Sequence, residues 1–406
     1  MNTAPPIVVF GDEWGLHPTS VQYLARGLVK SYPLLYVNTF WLRRPRWTLN
    51  DAQRAWHKLR RLALAKGKHP AQGVAGLHFH SPTLVPFKPI APVRDWNRRV
   101  LVSGLQQQLR LHGFEAPVLF AALPFGAEAI GMLGERLLIY YIMDEYSAMP
   151  GVYSEYIKDL ESRMLAEADL IFVTSRKLQE DKRGIKAPAV FLPHGVDFDH
   201  FHSAAAALGP MPEELRGLPR PLLGFYGTLA PWVDGDLLGH VARAFPHGSV
   251  VLIGPQWIEF SMPKCLPNLH WLGPRSYADL PRYAAHFDVG LIPFRQDRLT
   301  AYVNPLKLLE YLALGLPVVS TPLPDLAPFS EVVFQANMTD DFVDQVKLAL
   351  ADYAPERRTR RFAFAAGESW EARVNTLEQY IDAALHHRAK PAGPDFSFAN
   401  AASEIS

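Results

Sequence analysis

The sequence contains one cysteine, no long apolar run and no marked excess of either charge. The single cysteine, Cys265, excludes an internal disulfide framework and any metal cluster held by several cysteines, and it is typical of a reducing cytoplasm. No apolar stretch reaches the roughly 18 residues that a membrane-spanning helix needs. A formal net charge of +1 argues against a dedicated nucleic-acid-binding protein, although it leaves room for a local basic patch.

The composition that remains is that of a large globular chain. Its 406 residues exceed the usual size of one domain, and 49% hydrophobic with 20% charged residues indicates substantial buried cores. The N-terminal sequence lacks a basic n-region and a long hydrophobic h-region, so we expect no signal peptide and a cytoplasmic location.

Short apolar runs alternate with helical patterns along the chain, which predicts a parallel α/β architecture. The pattern dissolves into a stretch rich in Ala, Gly and Pro and then restarts, so we expect two doubly wound domains joined by a linker. The predicted division is 1–200 for the first domain, 201–220 for the linker, 221–369 for the second domain, 370–387 for a helix packing back toward the first domain, and 388–406 for a disordered tail.

The segment NPLKLLEYLALGLPVVS, residues 304–320, predicts a short helix. Asn304 is the expected N-cap, Pro305 suits the first helical position, and Gly315 is placed to end the helix.

The charges of this helix stand in an unusual order. The helix dipole favours anions at the N-terminus, yet Lys307 stands in the first turn and Glu310 follows one turn later. An anionic ligand beside the helix start would explain that order, with the lysine as donor to phosphate and the glutamate as acceptor for sugar hydroxyls. A solvated i,i+3 ion pair is the alternative.

Several turns of the second half should meet at one edge of the predicted sheet, because ligands collect at the carboxyl ends of parallel strands. The segments GFYGTLA and VVLIGPQ place glycines directly after strands, where a small residue permits close backbone approach. Plain turn chemistry is the alternative for each glycine alone. The candidate ligand-binding residues at this edge are Gly227, Thr228, Gly254, Arg275, Arg295, Tyr302, Lys307 and Glu310.

NPLKLLEYLALGLPVVSTPLP, LPHGVD and DVGLIPF together resemble the C-terminal domain of GT-B fold glycosyltransferases of the group 1/4 type. The resemblance implies two Rossmann-like domains facing across a cleft, the N-terminal one for the acceptor and the C-terminal one for a nucleotide sugar. It also implies that Glu310 holds the ribose hydroxyls and that Lys307 reaches toward the diphosphate. Arg275 and Arg295 would stabilise the leaving diphosphate without a metal, or else are surface arginines. Many retaining relatives carry a second glutamate eight residues before the ribose-binding one, and Tyr302 stands there instead.

The apolar strand LLIYYIM is followed by two carboxylates, Asp144 and Glu145, which are the catalytic candidates. The region is similar to the part of the xanthan-type glucuronosyltransferase that holds its general base, with Asp144 on the matching aspartate. Teichuronic-acid-type glycosyltransferases are also similar. A partly desolvated carboxylate here could take the proton of an acceptor hydroxyl during an inverting transfer, because burial raises its pKa. A helix- or turn-capping role is the alternative for Asp144, and the pair is not a metal-binding DxD motif.

The loop after the first predicted strand, GDEWGLHPTS, offers Asp12, Trp14 and His17 as candidate acceptor contacts. A local hydrogen-bonding role is the alternative for His17. In LPHGVD, we expect His194 and Asp197 to be structural residues.

The segment 41–68 is basic and contains several tryptophans, which predicts an amphipathic helix on the surface of an anionic membrane. A nucleic-acid patch and a merely solvated basic helix are the alternatives.

These features together predict a glycosyltransferase that moves a sugar from a nucleoside-diphosphate sugar, by preference a UDP-sugar, to a glycan or lipid-linked glycan. The setting would be bacterial exopolysaccharide or cell-envelope synthesis, with inversion preferred to retention. We expect neither a metal cofactor nor a nucleic-acid partner. We do expect peripheral association with the inner face of the cytoplasmic membrane. The alternatives are a UDP-sugar 2-epimerase of the same fold and a non-catalytic scaffold in a polysaccharide assembly complex.

Overall fold

The computed structural model describes residues 4–15, 18–38, 75–85, 90–257, 260–263, 265–337, 339–352 and 354–389. The chain forms two compact units. The first comprises Met1–Thr174, Leu178–Leu192 and Val374–Ser406, and the second comprises Ser175–Lys177 and Pro193–Arg373.

The first unit is built on a parallel sheet. Its strands within the described ranges are β1 (Ile7–Gly11), β2 (Leu34–Asn38), β3 (Leu77–His80), β4 (Val118–Ala121), β5 (Leu137–Ile142), β6 (Leu170–Val173) and β7 (Ala189–Phe191). Their order in the sheet is β3-β2-β1-β4-β5-β6-β7. From β1 the chain adds β2 and β3 on one side of the sheet, and then β4 to β7 on the other side. The loops after β1 and β4 therefore flank the topological switch point, where open α/β sheets bind ligands.

Helices cover this sheet, and their apolar faces bury its central strands. They are α1 (Ser20–Leu28), α2 (Ala91–His112), α3 (Ser154–Glu167) and α4 (Arg176–Asp181), of which α4 begins in the second unit. The strands β1, β2, β4 and β5 are buried along their whole length, as a parallel sheet covered on both faces requires.

The second unit repeats this architecture with a shorter sheet. Its strands are β8 (Leu222–Tyr226), β9 (Ser249–Ile253), β10 (Leu269–Trp271), β11 (Val289–Ile292), β12 (Val318–Ser320) and β13 (Val333–Gln335), in the order β10-β9-β8-β11-β12-β13. Its helices are α5 (Phe198–Ala206), α6 (Gly235–Ala244), α7 (Leu280–Ala284), α8 (Leu306–Ala313), α9 (Thr339–Leu350) and α10 (Pro355–Gly367). The switch point lies between β8 and β11, so the turns after these strands and after β9 share one edge.

The last helix, α11 (Trp370–Ala389), starts in the second unit and belongs to the first from Val374 on. There Val374 lies against Gly27 of α1, where a Cβ would be 2.3 Å from a Val374 methyl group. The Tyr32 hydroxyl donates to Asp382 at 2.6 Å. These contacts dock α11 onto the first unit.

The two predicted parallel α/β domains are confirmed, but the boundary differs from the predicted one. The second unit already begins at Pro193, and the predicted linker 201–220 contains the end of α5 and a turn of 3₁₀ helix at Glu213–Leu215. Phe201 and Leu215 are buried in the core of this unit. The alanine run that read as linker is a good helix former, and it completes α5.

Among the described residues, none of the helices combines the length and the hydropathy that a bilayer crossing requires. The segment 41–68 lies outside the described residues, as does the tail from residue 390 on.

Candidate functional site

Helix α8 begins one residue later than the sequence predicts. Pro305 is its N-cap residue, with an extended backbone, and no side-chain hydrogen bond caps the helix. Asn304, the predicted N-cap, instead donates from Nδ2 to an oxygen of Asp325 at 3.0 Å. The buried carboxylate takes the amide that would otherwise have capped the helix. At the other end Gly315, with φ of 72°, follows the last turn as predicted.

Lys307 and Glu310 stand one turn apart on α8, and neither makes a salt bridge with any residue in the described ranges. Glu310 is 3% exposed. Burial raises its pKa to about 7, against the opposing effects of Lys307 and of the Tyr226 and Tyr277 hydroxyls. Burial also lowers the pKa of Lys307, while the charge of Glu310 raises it. The helix therefore presents an ammonium and a buried carboxylate that the fold leaves without a direct ion-pair partner.

The Lys307 side chain lies across Gly227, the first residue after β8. A Cβ at Gly227 would be 2.2 Å from Lys307 Cε and 2.9 Å from Nζ, so a larger residue would block this path. At Gly254, the first residue after β9, a Cβ would be 1.9 Å from the carbonyl oxygen of Gly227. Both glycines have positive φ, at 138° and 143°. The close backbone approach predicted for this edge is present, with half-buried Thr228 beside it.

The loop of LPHGVD lies close to Lys307 and Glu310, although the sequence predicts only structural roles for its residues His194 and Asp197. Burial lowers the pKa of His194 to about 4, and the charges of Arg373 and Lys307 add to the effect. Arg373 donates from Nε to the His194 carbonyl oxygen at 3.4 Å. Asp197 caps α5, and its charge raises the pKa of Glu310. A neutral histidine beside two cations therefore borders the start of α8.

Arg275 is held by partners within the protein. Its Nη2 donates to Glu214 at 2.9 Å and its Nε to the Tyr283 hydroxyl at 3.0 Å. The hydrogen bond that Arg275 donates to the Tyr283 hydroxyl, and the hydrogen bond and charge of Glu214, raise the pKa of Arg275. A ligand would have to share this guanidinium with Glu214.

Arg295 and Tyr302 differ in their freedom to reach a ligand. Arg295 Nη2 lies 3.8 Å from carboxylates of both Asp234 and Asp236, which is too long for a hydrogen bond. Tyr302 ends the 3₁₀ turn Thr300–Tyr302 and is buried. Arg295 therefore stands in loose ion pairs with two carboxylates that a ligand would have to share, whereas Tyr302 is a buried residue three positions before the N-cap of α8.

Asp144 follows β5 at the carboxyl edge of the first sheet. It is half-buried, and within the described ranges neither a hydrogen-bond donor nor a cation contacts its carboxylate. Burial is the cause that raises its pKa to about 7. The capping alternative finds no support, since the side chain caps no helix or turn among these residues. A carboxyl group with such a pKa and no partner can accept a proton near neutral pH.

Glu145 occupies a different environment from its neighbour. It is 5% exposed, and its carboxylate lies 2.7 Å from Lys182 Nζ, which also lies 2.6 Å from Glu161. Burial raises the pKa of Glu145, but hydrogen bonds from Lys182 and Ser147 outweigh it, so the pKa is below its usual value. This buried ion-pair network engages the Glu145 carboxylate with Lys182 and Ser147, so its environment is less suited to a general base than that of Asp144.

The predicted acceptor contacts Asp12 and Trp14 also lie in different environments. Asp12 is half-buried, accepts a hydrogen bond from Thr19 Oγ1 at 2.8 Å, and has its pKa raised by burial. Trp14 is 5% exposed, and its ring meets that of Tyr36 edge-on at 4.8 Å. The indole therefore packs in the core, which leaves little of it exposed for the predicted acceptor contact. His17 lies outside the described residues.

Residues 220–352 match the family model described as Glycosyl transferases group 1, and this range contains every residue predicted for nucleotide-sugar binding. A protein of Bacillus subtilis (strain 168), assigned by name to teichuronic acid biosynthesis as the glycosyltransferase TuaH, is 27% identical over 243 residues. That match covers 57% of this chain and 61% of the relative, so the chain spans about three fifths of the relative's length.

Solved structures resemble the chain over nearly its whole length. HepE of Anabaena in complex with UDP has 14% identity, with 93% of this chain and 100% of that one covered and a TM-score of 0.62. Sucrose-phosphate synthase of Thermosynechococcus elongatus has 13% identity, with 94% and 100% covered and a TM-score of 0.69. α,α-Trehalose 6-phosphate synthase of Burkholderia multivorans has 14% identity, with 95% of this chain and 100% of that one covered and a TM-score of 0.64. The chain therefore has the GT-B fold, and residues 220–352, which form most of its second unit, match the group 1 glycosyl transferase model.

Proposed function

We propose that the protein is a glycosyltransferase that transfers a sugar from a UDP-sugar to a hydroxyl group of an acceptor. The observation that carries the proposal is the pair Lys307 and Glu310 at the start of α8, an ammonium and a buried carboxylate for which the described residues provide no salt-bridge partner. The complex of HepE with UDP, in a protein of the same fold, supports UDP as the nucleotide.

The diphosphate of the donor would lie at the N-terminus of α8. Backbone N–H groups and the positive end of the helix dipole favour an anion there, and Lys307 adds a full charge at the same place. Gly227 lets the Lys307 side chain cross the backbone at this edge, and Gly254 lets the carbonyl of Gly227 pack closely beside it, so the ammonium can stand beside the turns that would face the diphosphate. Glu310, one turn further on, would accept hydrogen bonds from the ribose hydroxyls, and these are stronger when its carboxyl is ionised.

We assign Asp144 as the general base of an inverting transfer. Its carboxylate would take the proton from the acceptor hydroxyl while the oxygen attacks the anomeric carbon and the bond to UDP breaks. The products are the new glycoside, UDP and a protonated Asp144, which returns its proton to solvent. Lys307 and the α8 dipole would stabilise the negative charge that develops on the leaving diphosphate, so we expect no requirement for a metal ion.

The acceptor that we propose is a glycan or lipid-linked glycan of the bacterial cell envelope or of an exopolysaccharide. The assignment of the Bacillus subtilis relative to teichuronic acid biosynthesis supports it. A lipid-linked acceptor would bring the enzyme to the inner face of the cytoplasmic membrane, where the basic segment 41–68 would favour anionic lipids.

Nucleotide binding is the first test. Calorimetric titration with UDP, GDP and dTDP should show a preference for UDP, and Lys307→Met should weaken UDP binding by about tenfold or more, the scale of one hydrogen bond between charged groups. Lys347→Met is the matched control, because Lys347 is an exposed lysine of α9 paired with Asp344. Absence of nucleotide binding to the wild-type protein would contradict the proposal.

Catalysis is tested separately with Asp144→Asn. This variant should bind UDP as the wild type does and fail to release UDP from a UDP-sugar in the presence of a lipid extract of bacterial membranes. Full activity of the variant would remove Asp144 as the base. Interconversion of UDP-sugars without release of UDP would instead identify an epimerase.

A further inference from the structure

Asp325 is a buried carboxylate that joins separate segments of the second unit. It lies in the 3₁₀ helix Pro324–Phe329 that follows β12, and it is 4% exposed. One of its oxygens accepts the backbone N–H of Arg176 at 3.0 Å, and the other accepts Asn304 Nδ2 at 3.0 Å. Both oxygens therefore hold neighbouring segments in place. Burial raises the pKa of Asp325, and the hydrogen bonds from Asn304 and the Arg176 N–H, together with the charge of Arg176, oppose that rise.

The Asn304 end of this arrangement bears directly on the start of α8. Asn304 precedes the N-cap residue Pro305 and stands three residues before Lys307. No side-chain hydrogen bond caps the helix, so the usual local device for fixing a helix start is missing. The amide that could have served as the cap is bound to a residue 21 positions further along the chain.

We propose that Asp325 is a positioning residue of the nucleotide-sugar site: through Asn304 it fixes the first turn of α8 and, with it, the place of Lys307 over Gly227. The inference rests on the proposed function, because it gives Asp325 a role in binding the diphosphate. Asp325 does not itself contact the ligand in this assignment. Because the Asn304 side chain binds Asp325 and so sets where the helix begins, it does not cap the helix.

The hydrogen bond from Asn304 to Asp325 can be removed or reversed by substitution, and calorimetry then measures the effect on UDP affinity. Asp325→Ala should weaken UDP binding by about tenfold, the scale of one lost hydrogen bond to a charged group. Asn304→Asp should weaken it as well, because two carboxylates then face each other. The double variant Asn304→Asp/Asp325→Asn restores an acceptor opposite a donor and keeps an acceptor for the Arg176 N–H, so it should return to within about threefold of the wild type.

Asp288→Ala is the matched control. Asp288 accepts the backbone N–H of Leu222 at 2.6 Å and pairs with Arg220, but it precedes β11 at the opposite edge of the sheet. Its replacement should lower the melting temperature and leave UDP affinity unchanged. If Asp325→Ala does not fold, Asn304→Ala gives the same readout, because the carboxylate keeps its bond to the Arg176 N–H.

The outcomes separate the two proposals. Single variants at Asp325 and Asn304 that melt earlier but bind UDP with wild-type affinity would show a purely stabilising role and overturn the positioning role alone. Failure of the double variant to recover affinity would overturn it too. A wild-type protein that binds no UDP would overturn the proposed function and this inference together.

Discussion

Replacing Asp144 with asparagine should stabilise the protein, and the gain should grow with pH. Burial raises the pKa of this carboxyl from 3.8 to about 7. Below pH 4 the folded and unfolded states both carry a protonated group, so the wild type bears no penalty. Between pH 4 and 7 the Asp144 carboxyl is ionised in the unfolded state but still protonated in the folded state. The free energy of unfolding therefore falls by about 1.4 kcal/mol for each pH unit. The shift of about 3 units sets an upper bound of about 4 kcal/mol above pH 7.

Asparagine has nearly the same shape and never ionises, so the variant escapes this penalty. The difference in stability between variant and wild type should increase by up to about 2.5 kcal/mol from pH 5 to pH 8, or by roughly 5–10 °C in melting temperature for a unit of this size. Thermal melts at both pH values measure it, with hydrogen exchange of the β5 amides identifying the transition of the first unit.

Glu145→Gln is the control of opposite sign. The pKa of Glu145 is lowered, so its ionised form stabilises the fold above the unfolded pKa, and that stability is lost as the pH falls through the folded pKa. The glutamine variant should therefore melt earlier than the wild type at pH 8. If Asp144→Asn does not stabilise the protein, or stabilises it equally at pH 5 and pH 8, the Asp144 carboxylate is solvated or paired. The physical basis for its role as a base would then be lost.

Three further changes probe the second unit and the buried network of the first. Gly227→Ala places a Cβ 2.2 Å from Lys307 Cε and should displace that side chain, weakening UDP binding by about tenfold in calorimetry, whereas Gly209→Ala, where a Cβ meets nothing within 4 Å, should not. UDP affinity should fall as the pH drops below about 7, because protonation removes the charge that strengthens the hydrogen bonds from the ribose to Glu310, and Glu310→Gln should reduce that dependence to the part caused by titration of the UDP phosphate. Lys182→Met leaves two buried carboxylates without their cation and should destabilise the protein by about 3–5 kcal/mol in denaturant unfolding.

The fold and the helix of the nucleotide site were predictable because their signals are local. Alternation of apolar runs with helical patterns indicates a parallel sheet wherever it occurs, and no long-range contact is needed to see it. The charge order of Lys307 and Glu310 is also local, since residues one turn apart share a helix face. Even so, the predicted cap at Asn304 was wrong, because Asp325 competes for that side chain from a distant position.

Residues whose role depends on distant partners could not be assigned from the sequence. Asp144 and Glu145 are adjacent carboxylates that read alike, and Lys182, which distinguishes them, stands far along the chain. Trp14 was a candidate acceptor contact, yet its ring packs against Tyr36 of β2. In each case tertiary packing decides between roles that the same local sequence permits.

The docking of α11 has a consequence for synthesis on the ribosome. Leu377 and Ile381 are fully buried in the first unit, yet they follow the whole of the second unit in the chain. At the usual 5–20 residues per second, translation of the roughly 180 intervening residues takes about 10–35 seconds. For that time the groove on the first unit that receives α11 stays open, so the N-terminal half of the protein waits for the C-terminal end before it can finish folding.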